Sequence, residues 1–178
     1  TTLQTIAPGV PSIEVDHTWA GEDRGLSVTG YSNNTAIGRL VLSGVSPDPL
    51  FVFSGTGLNN GLYVDLLDLS SLGADYLNRL QIDPSLVIYF AAANLGFTPP
   101  LTNGAAQEAE EFLDGQFGGR LRWVRDFAGP NSGVDVLIDG QTVKVNRALR
   151  NSVIIDSDGD GTPNFFDFTP FDAPLVVL

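Results

Sequence analysis

Leu50-Phe51-Val52-Phe53 and, after a Gly- and Asn-rich break, Leu62-Tyr63-Val64-Asp65-Leu66-Leu67 are two short apolar runs. Runs of this length, rich in β-branched and aromatic residues and bounded by turn formers, read as strands. The same texture extends both ways. Upstream, Ile13 and Val15 alternate with Glu14 and Asp16, and Leu26, Val28 and Leu40-Val41-Leu42 follow. Downstream, Leu86 to Phe90 reads as a buried central strand after Pro84. Turn signals recur about every ten residues, which predicts a mainly β fold. The expectation is an antiparallel β-sandwich, immunoglobulin-like or jelly-roll-like, of roughly seven to ten strands with one short helix.

The helix is expected over Gly104 to Asp114. Ala105, Ala106, Ala109, Phe112 and Leu113 form its apolar side, Glu108, Glu110 and Glu111 point outward, and Gly115 serves as the C-cap. Asp75 to Leu80 reads as a further helical turn. The sharpest local prediction is a hairpin. Val134 to Ile138 runs through Asp139-Gly140 into Gln141 to Val145. A two-residue Asp-Gly loop fixes the register, so 138 faces 141, 136 faces 143 and 134 faces 145. Val134, Val136, Ile138, Val143 and Val145 then share the core face, with Asp135 opposite Lys144 on the other. Ser152 to Ile155 reads as a last strand. Residues 1–155 are expected to form the sandwich, with residues 1–12 as an extended arm. Residues 156–178 are expected to form a loop and tail packed on it.

The chain has 178 residues, no cysteine, and a net charge of -12 from 21 acidic and 9 basic side chains. Thiol catalysis, thiolate metal sites and disulfides are excluded. So acidic a surface repels phosphate backbones and anionic lipid, so neither nucleic acid nor membrane insertion is expected, and it attracts divalent cations. No apolar run approaches the ~20 residues of a membrane helix.

The acidic residues concentrate in Asp156-Ser157-Asp158-Gly159-Asp160-Gly161-Thr162-Pro163-Asn164-Phe165-Phe166-Asp167. Calcium takes six to eight hard oxygen ligands. Oxygen side chains at every second position, with a glycine for the sharp turn, deliver them from one short loop. Asp156, Asp158 and Asp160 fill positions one, three and five. The Thr162 carbonyl falls at seven, Asn164 at nine and Asp167 at twelve. The expected cofactor is one Ca2+ held by these six residues. Phe165, Phe166, Phe168 and Phe171 crowd the loop and are expected to dock it. An exposed aromatic platform is the alternative.

The stretch from Asp156 to Pro170 resembles the Asp-rich calcium repeats of the thrombospondin type 3 class, common in bacterial extracellular proteins. It is also similar to half of a dockerin, which carries two such loops, each leading into a helix. The resemblance implies a secreted or cell-surface bacterial protein in which calcium is structural.

Other constellations are weaker. His17, the one histidine, lies among Glu14, Asp16, Glu22 and Asp23 and is expected at the surface. Glu108, Glu110, Glu111 and Asp114 read as a solvated helix face rather than a glycosidase pair, whose carboxylates converge across a cleft. Trp19, Trp123, Tyr31 and Tyr63 are expected in or against the core. Asn33-Asn34-Thr35 is a glycosylation sequon. No catalytic site is expected. The functional expectation is a calcium-stabilised structural or adhesive module. Thr1 to Val10 and Pro174 to Leu178 could add strands to copies of itself or to neighbouring modules, the alternative being that they pack on their own domain. The alternative is a glycan-binding module of a secreted enzyme.

Overall fold

The computed structural model describes residues 2–7, 14–44, 49–125, 133–138, 140–153, 155–171 and 175–177. Its strands are β1 (Thr2–Ala7), β2 (Glu14–Trp19), β3 (Ala36–Gly44), β4 (Leu50–Gly55), β5 (Asn60–Asp68), β6 (Leu80–Ile82), β7 (Leu86–Asn94), β8 (Leu121–Trp123), β9 (Gly133–Ile138), β10 (Gln141–Asn146) and β11 (Leu175–Val177).

The antiparallel β-sandwich expected from the sequence does not form. Apart from the β9–β10 hairpin, the described strands pair in parallel. The main sheet has the order β11-β1-β3-β5-β7-β8, and a second sheet has the order β2-β4-β6. From β1 to β7 the chain therefore alternates between two sheets, and each return lays a strand beside the last one in that sheet. Ala36 pairs with Tyr63 and Asn60 with Leu86, so successive circuits take 27 and then 26 residues. A sandwich and such a coil share the same strand spacing along the chain, so spacing does not separate them. Burial does. β5 is buried from Gly61 to Asp68 without alternation, and β7 is nearly so. Strands covered on both faces are the habit of parallel sheets.

One face of the main sheet meets the second sheet. Leu40, Leu42, Phe51, Phe53, Leu62, Val64, Ile82, Ile88, Phe90 and Trp123 fill the space between them. Each such side chain removed from water contributes ~1.5–3 kcal/mol. The opposite face carries Tyr63, Leu66, Tyr89 and Ala91, covered by Val136, Ile138, Val143, Val145, Leu149 and Phe171. The rings of Tyr63 and Tyr89, which are paired in register, stack with centroids 4.7 Å apart.

The three central strands share a bend at one rung. Ile37 and Leu40, Val64 and Leu67, and Phe90 and Ala93 point between the sheets, whereas Leu66, Ala91 and Ala92 face the other way. Two successive residues in each strand thus leave the inter-sheet core, and Gly38, Asp65 and Ala91 align across the sheet at that bend. This row carries the loop described below.

The hairpin register is as expected, with Ile138 opposite Gln141, Val136 opposite Val143, Val134 opposite Val145 and Asp135 opposite Lys144. Gly140 has φ 78°; Asp139 lies outside the described residues. Other local expectations change. The helix is confined to Ala109–Leu113, and Glu110 turns inward, 9% exposed, to accept a 3.0 Å hydrogen bond from the Ala93 amide. Burial raises its pKa. Ser152, Val153 and Ile155 form no strand; a helical turn, Arg147–Arg150, precedes them. Both terminal segments pair within the chain, β1 with β3 and β11 with β1.

The β8 end of the main sheet is closed by side-chain chemistry. Leu121 O accepts from Gly115 N at 2.8 Å, and Trp123 N donates to Asp114 Oδ1 at 3.1 Å. Asp114 also pairs with Arg122 at 3.1 Å. Two of the edge groups an added strand would use, Leu121 O and Trp123 N, are already engaged there.

Candidate metal centre

The hairpin delivers the chain to the loop through the turn Arg147–Arg150. The Arg150 guanidinium donates to the carbonyls of Asn164 and Asp167, which ties the far side of the loop to this turn. Asn164 N donates to Ile155 O at 2.8 Å and Phe165 N to Ser152 O at 2.9 Å, closing the loop at its neck.

Inside the neck, Asn164 is fully buried. Its Oδ1 accepts from Ser157 N at 2.9 Å, and its Nδ2 donates to Leu149 O at 3.0 Å and to Ser157 Oγ at 2.9 Å. Ser157 Oγ in turn donates to Asp65 Oδ2 on β5 at 2.7 Å. The amide–hydroxyl–carboxylate relay fixes the loop to the main sheet. Gly38 on β3 makes room for it, since a Cβ there would lie 1.4 Å from Ser157 O. Glycine is required here by close approach rather than by backbone angle.

Asp156, Asp158 and Asp160 each present a carboxylate oxygen, and the three oxygens lie within 4.8 Å of one another. The loop turns tightly through Gly159 at φ 80° and Gly161 at φ 99°. Asp156 accepts from Gly159 N at 2.6 Å and Gly161 N at 2.8 Å; Asp158 accepts from Asp160 N at 3.0 Å; Asp160 accepts from Thr162 N at 2.7 Å. The backbone thus gathers the carboxylates. Burial raises the pKa of Asp158, and the charges of Asp160 and Asp167 push the same way. Asp167 Oδ1 accepts from Thr169 N at 2.9 Å, while Oδ2 is buried without a hydrogen-bond partner among the described residues.

The six expected ligands therefore divide. Asp156, Asp158 and Asp160 converge, Asp167 stands close enough to act on Asp158, and Thr162 follows in the same turn. Asn164 is instead the internal clamp of the neck, its amide oxygen committed to Ser157. Asp65 and Ser157 were not singled out from the sequence. The available signal was an aspartate inside the apolar run Leu62 to Leu67, where a carboxylate must find a partner.

The other candidates are placed plainly. His17 is buried on β2 rather than at the surface, its ring 5.1 Å from that of Phe53, and burial lowers its pKa. Trp123 and Tyr63 are core residues, and Trp19 and Tyr31 pack partly buried against the core clusters. Of the four phenylalanines, only Phe171 docks the segment. Phe165, Phe166 and Phe168 are 50%, 63% and 97% exposed. Among the described residues no helix is long and apolar enough to cross a membrane.

Comparison of the chain with protein-family models, with curated proteins and with solved structures finds no match.

Proposed function

We propose that the chain is an extracellular structural or adhesive module whose C-terminal segment is stiffened by one calcium ion. The observation that carries this reading is the convergence of three carboxylates on a loop clamped to the main sheet. Carboxylates so close oppose one another's ionisation. A divalent cation removes that repulsion and adds ligand bonds. Asp156, Asp158, Asp160 and Asp167 would hold it with the Thr162 carbonyl. Extracellular modules bind calcium at roughly 10⁻⁴–10⁻³ M, which suits a secreted, cell-surface setting.

The role is non-catalytic and mechanical. Stacked parallel strands with stacked rings make a stiff body, and the ion fixes the segment that leaves it. The partly engaged β8 edge leaves the β2, β6 and β11 edges for contacts with copies of itself or with neighbouring modules. Parallel addition there is head-to-tail, the geometry of open filaments. The glycan-binding alternative loses its tryptophan and tyrosine platform, because those rings are packed inward.

Limited proteolysis and light scattering in about 2 mM CaCl2 and in excess chelator test the proposal. Calcium should protect residues 156–171 from cleavage and favour ordered assemblies that chelator disperses. Equal cleavage rates and a monodisperse monomer in both buffers would sink it.

A further inference from the structure

Asparagine followed by glycine occurs at Asn60-Gly61 and again at Asn103-Gly104. The pair has its own chemistry, because a glycine leaves its amide nitrogen unshielded beside the carboxamide of the preceding asparagine. The fold treats the two copies differently.

Asn60 opens β5 and is locked. Its Oδ1 accepts from Gly57 N at 2.8 Å, and its Nδ2 donates to Gly21 O at 3.0 Å. Gly61 N donates to Gly21 O at 2.9 Å. Gly61 is buried, and a Cβ on it would lie 3.0 Å from both Asp23 Cα and Glu22 O. The nitrogen and the carboxamide beside it are both held in place.

Asn103 and Gly104 form the tip of a two-residue turn instead. Thr102 N donates to Ala105 O at 2.9 Å and Ala105 N to Thr102 O at 3.0 Å. With φ of 53° at Asn103 and 81° at Gly104, this is the type I′ turn that Asn-Gly favours. Both residues are exposed, and a Cβ on Gly104 would meet nothing within 4 Å. Neither the Asn103 carboxamide nor the Gly104 amide has a hydrogen-bond partner among the described residues. The turn stands between β7 and the helix Ala109–Leu113, with Leu101 beside it 66% exposed. Exposed segments with few buried contacts open locally at little cost.

We propose that Asn103 is a site of spontaneous self-modification, at which the Gly104 nitrogen displaces the side-chain amide. The Gly104 N–H gives its proton to solvent base, and the nitrogen forms a bond to Asn103 Cγ. The Cγ–Nδ2 bond breaks, and Nδ2 takes a proton from water and leaves as ammonia. The product is a cyclic succinimide. Water then opens the ring at either carbonyl. One opening leaves aspartate; the other leaves isoaspartate, in which the main chain runs through Cβ. The sequence is redox-neutral and consumes only water. Either product adds negative charge to an already acidic chain. Isoaspartate also lengthens the turn, so that Thr102 and Ala105 lose their pairing. The site goes beyond the calcium reading and is independent of it.

The test is peptide mapping of the full chain after ageing in mildly alkaline buffer, with fragmentation mass spectrometry to separate aspartate from isoaspartate. In the folded chain Asn103 should convert at least about tenfold faster than Asn60. In urea both sites are simply Asn-Gly, and their rates should converge. Isoaspartate should exceed aspartate at Asn103, which is the mark of a ring intermediate. Gly104→Ala shields the nitrogen and should slow conversion by about tenfold or more, while Asn60 in the same sample reports that the variant is folded. Equal rates at the two sites in the folded chain, an unchanged Asn103 beside a converted Asn60, or conversion to aspartate alone by direct hydrolysis would overturn the proposal.

Discussion

Asp65 and Asp68 sit three residues apart on β5, and both are buried, yet they are handled in opposite ways. Asp68 receives the Arg39 guanidinium at 2.8 Å, Ser70 N at 3.1 Å, Ser70 Oγ at 2.6 Å and Asn94 Nδ2 at 3.3 Å. Asp65 receives the Ser157 hydroxyl. The first corner is complete within the fold. The second is held together by a loop that itself carries negative charge. The difference separates a carboxylate answered by several donors, three of them side chains, from one answered by a single hydroxyl of the loop.

The largest effect is expected at the complete corner. Arg39→Ala strands a buried carboxylate and should cost about 3–5 kcal/mol in urea unfolding. Arg39→Met with Asp68→Leu should recover most of that loss, because removing both charges removes the desolvation penalty.

The incomplete corner should behave with the opposite sign. Burial pushes the Asp65 pKa from 3.8 up to about 7, with the Ser157 hydrogen bond and the charge of the chain's N-terminal amine opposing and the Asp156 charge adding. Between those values the native state keeps a proton that the unfolded chain has released. This contribution to stability therefore falls as pH rises from about 4 to about 7, and is flat above. Asp65→Asn removes the dependence. In calcium-free buffer at pH 8 the variant should be more stable than the parent by roughly 3–4 kcal/mol, and the two should converge near pH 4.

Gly38→Ala tests the seat between the two corners. The new methyl group meets the Ser157 carbonyl, so the loop must lift. A loss of about 1–3 kcal/mol is expected, with faster proteolysis of residues 156–171. The smallest effect is that of the ion. Millimolar calcium should add on the order of 1 kcal/mol, and Asp158→Asn should abolish the gain.

Legibility in the sequence followed the range of the interaction. The β9–β10 hairpin was readable because Asp139-Gly140 sets its register within a dozen residues. The loop over 156–167 was readable because its oxygen side chains recur at fixed short spacing. The winding of β1 to β8 was not, because parallel neighbours lie from 26 residues apart, as Asn60 and Leu86 do, to 37, as Thr2 and Arg39 do, without a repeated motif. The unbroken apolar run Leu86 to Ala93 already pointed to a strand covered on both faces, and alternation in a sandwich would not have produced it. Glu110, Asp65 and Asn164 were misplaced or missed for one reason. Each is a polar side chain buried against a backbone or hydroxyl partner distant in sequence, and nothing local marks it.

The most direct test of the metal centre is calorimetric titration of the full chain with CaCl2, alongside Asp158→Asn and Asp160→Asn. One ion per chain, bound at roughly 10⁻⁴–10⁻³ M and lost in both variants, is the predicted result. No binding up to about 10 mM calcium, or binding indifferent to both substitutions, would contradict the assignment of the loop.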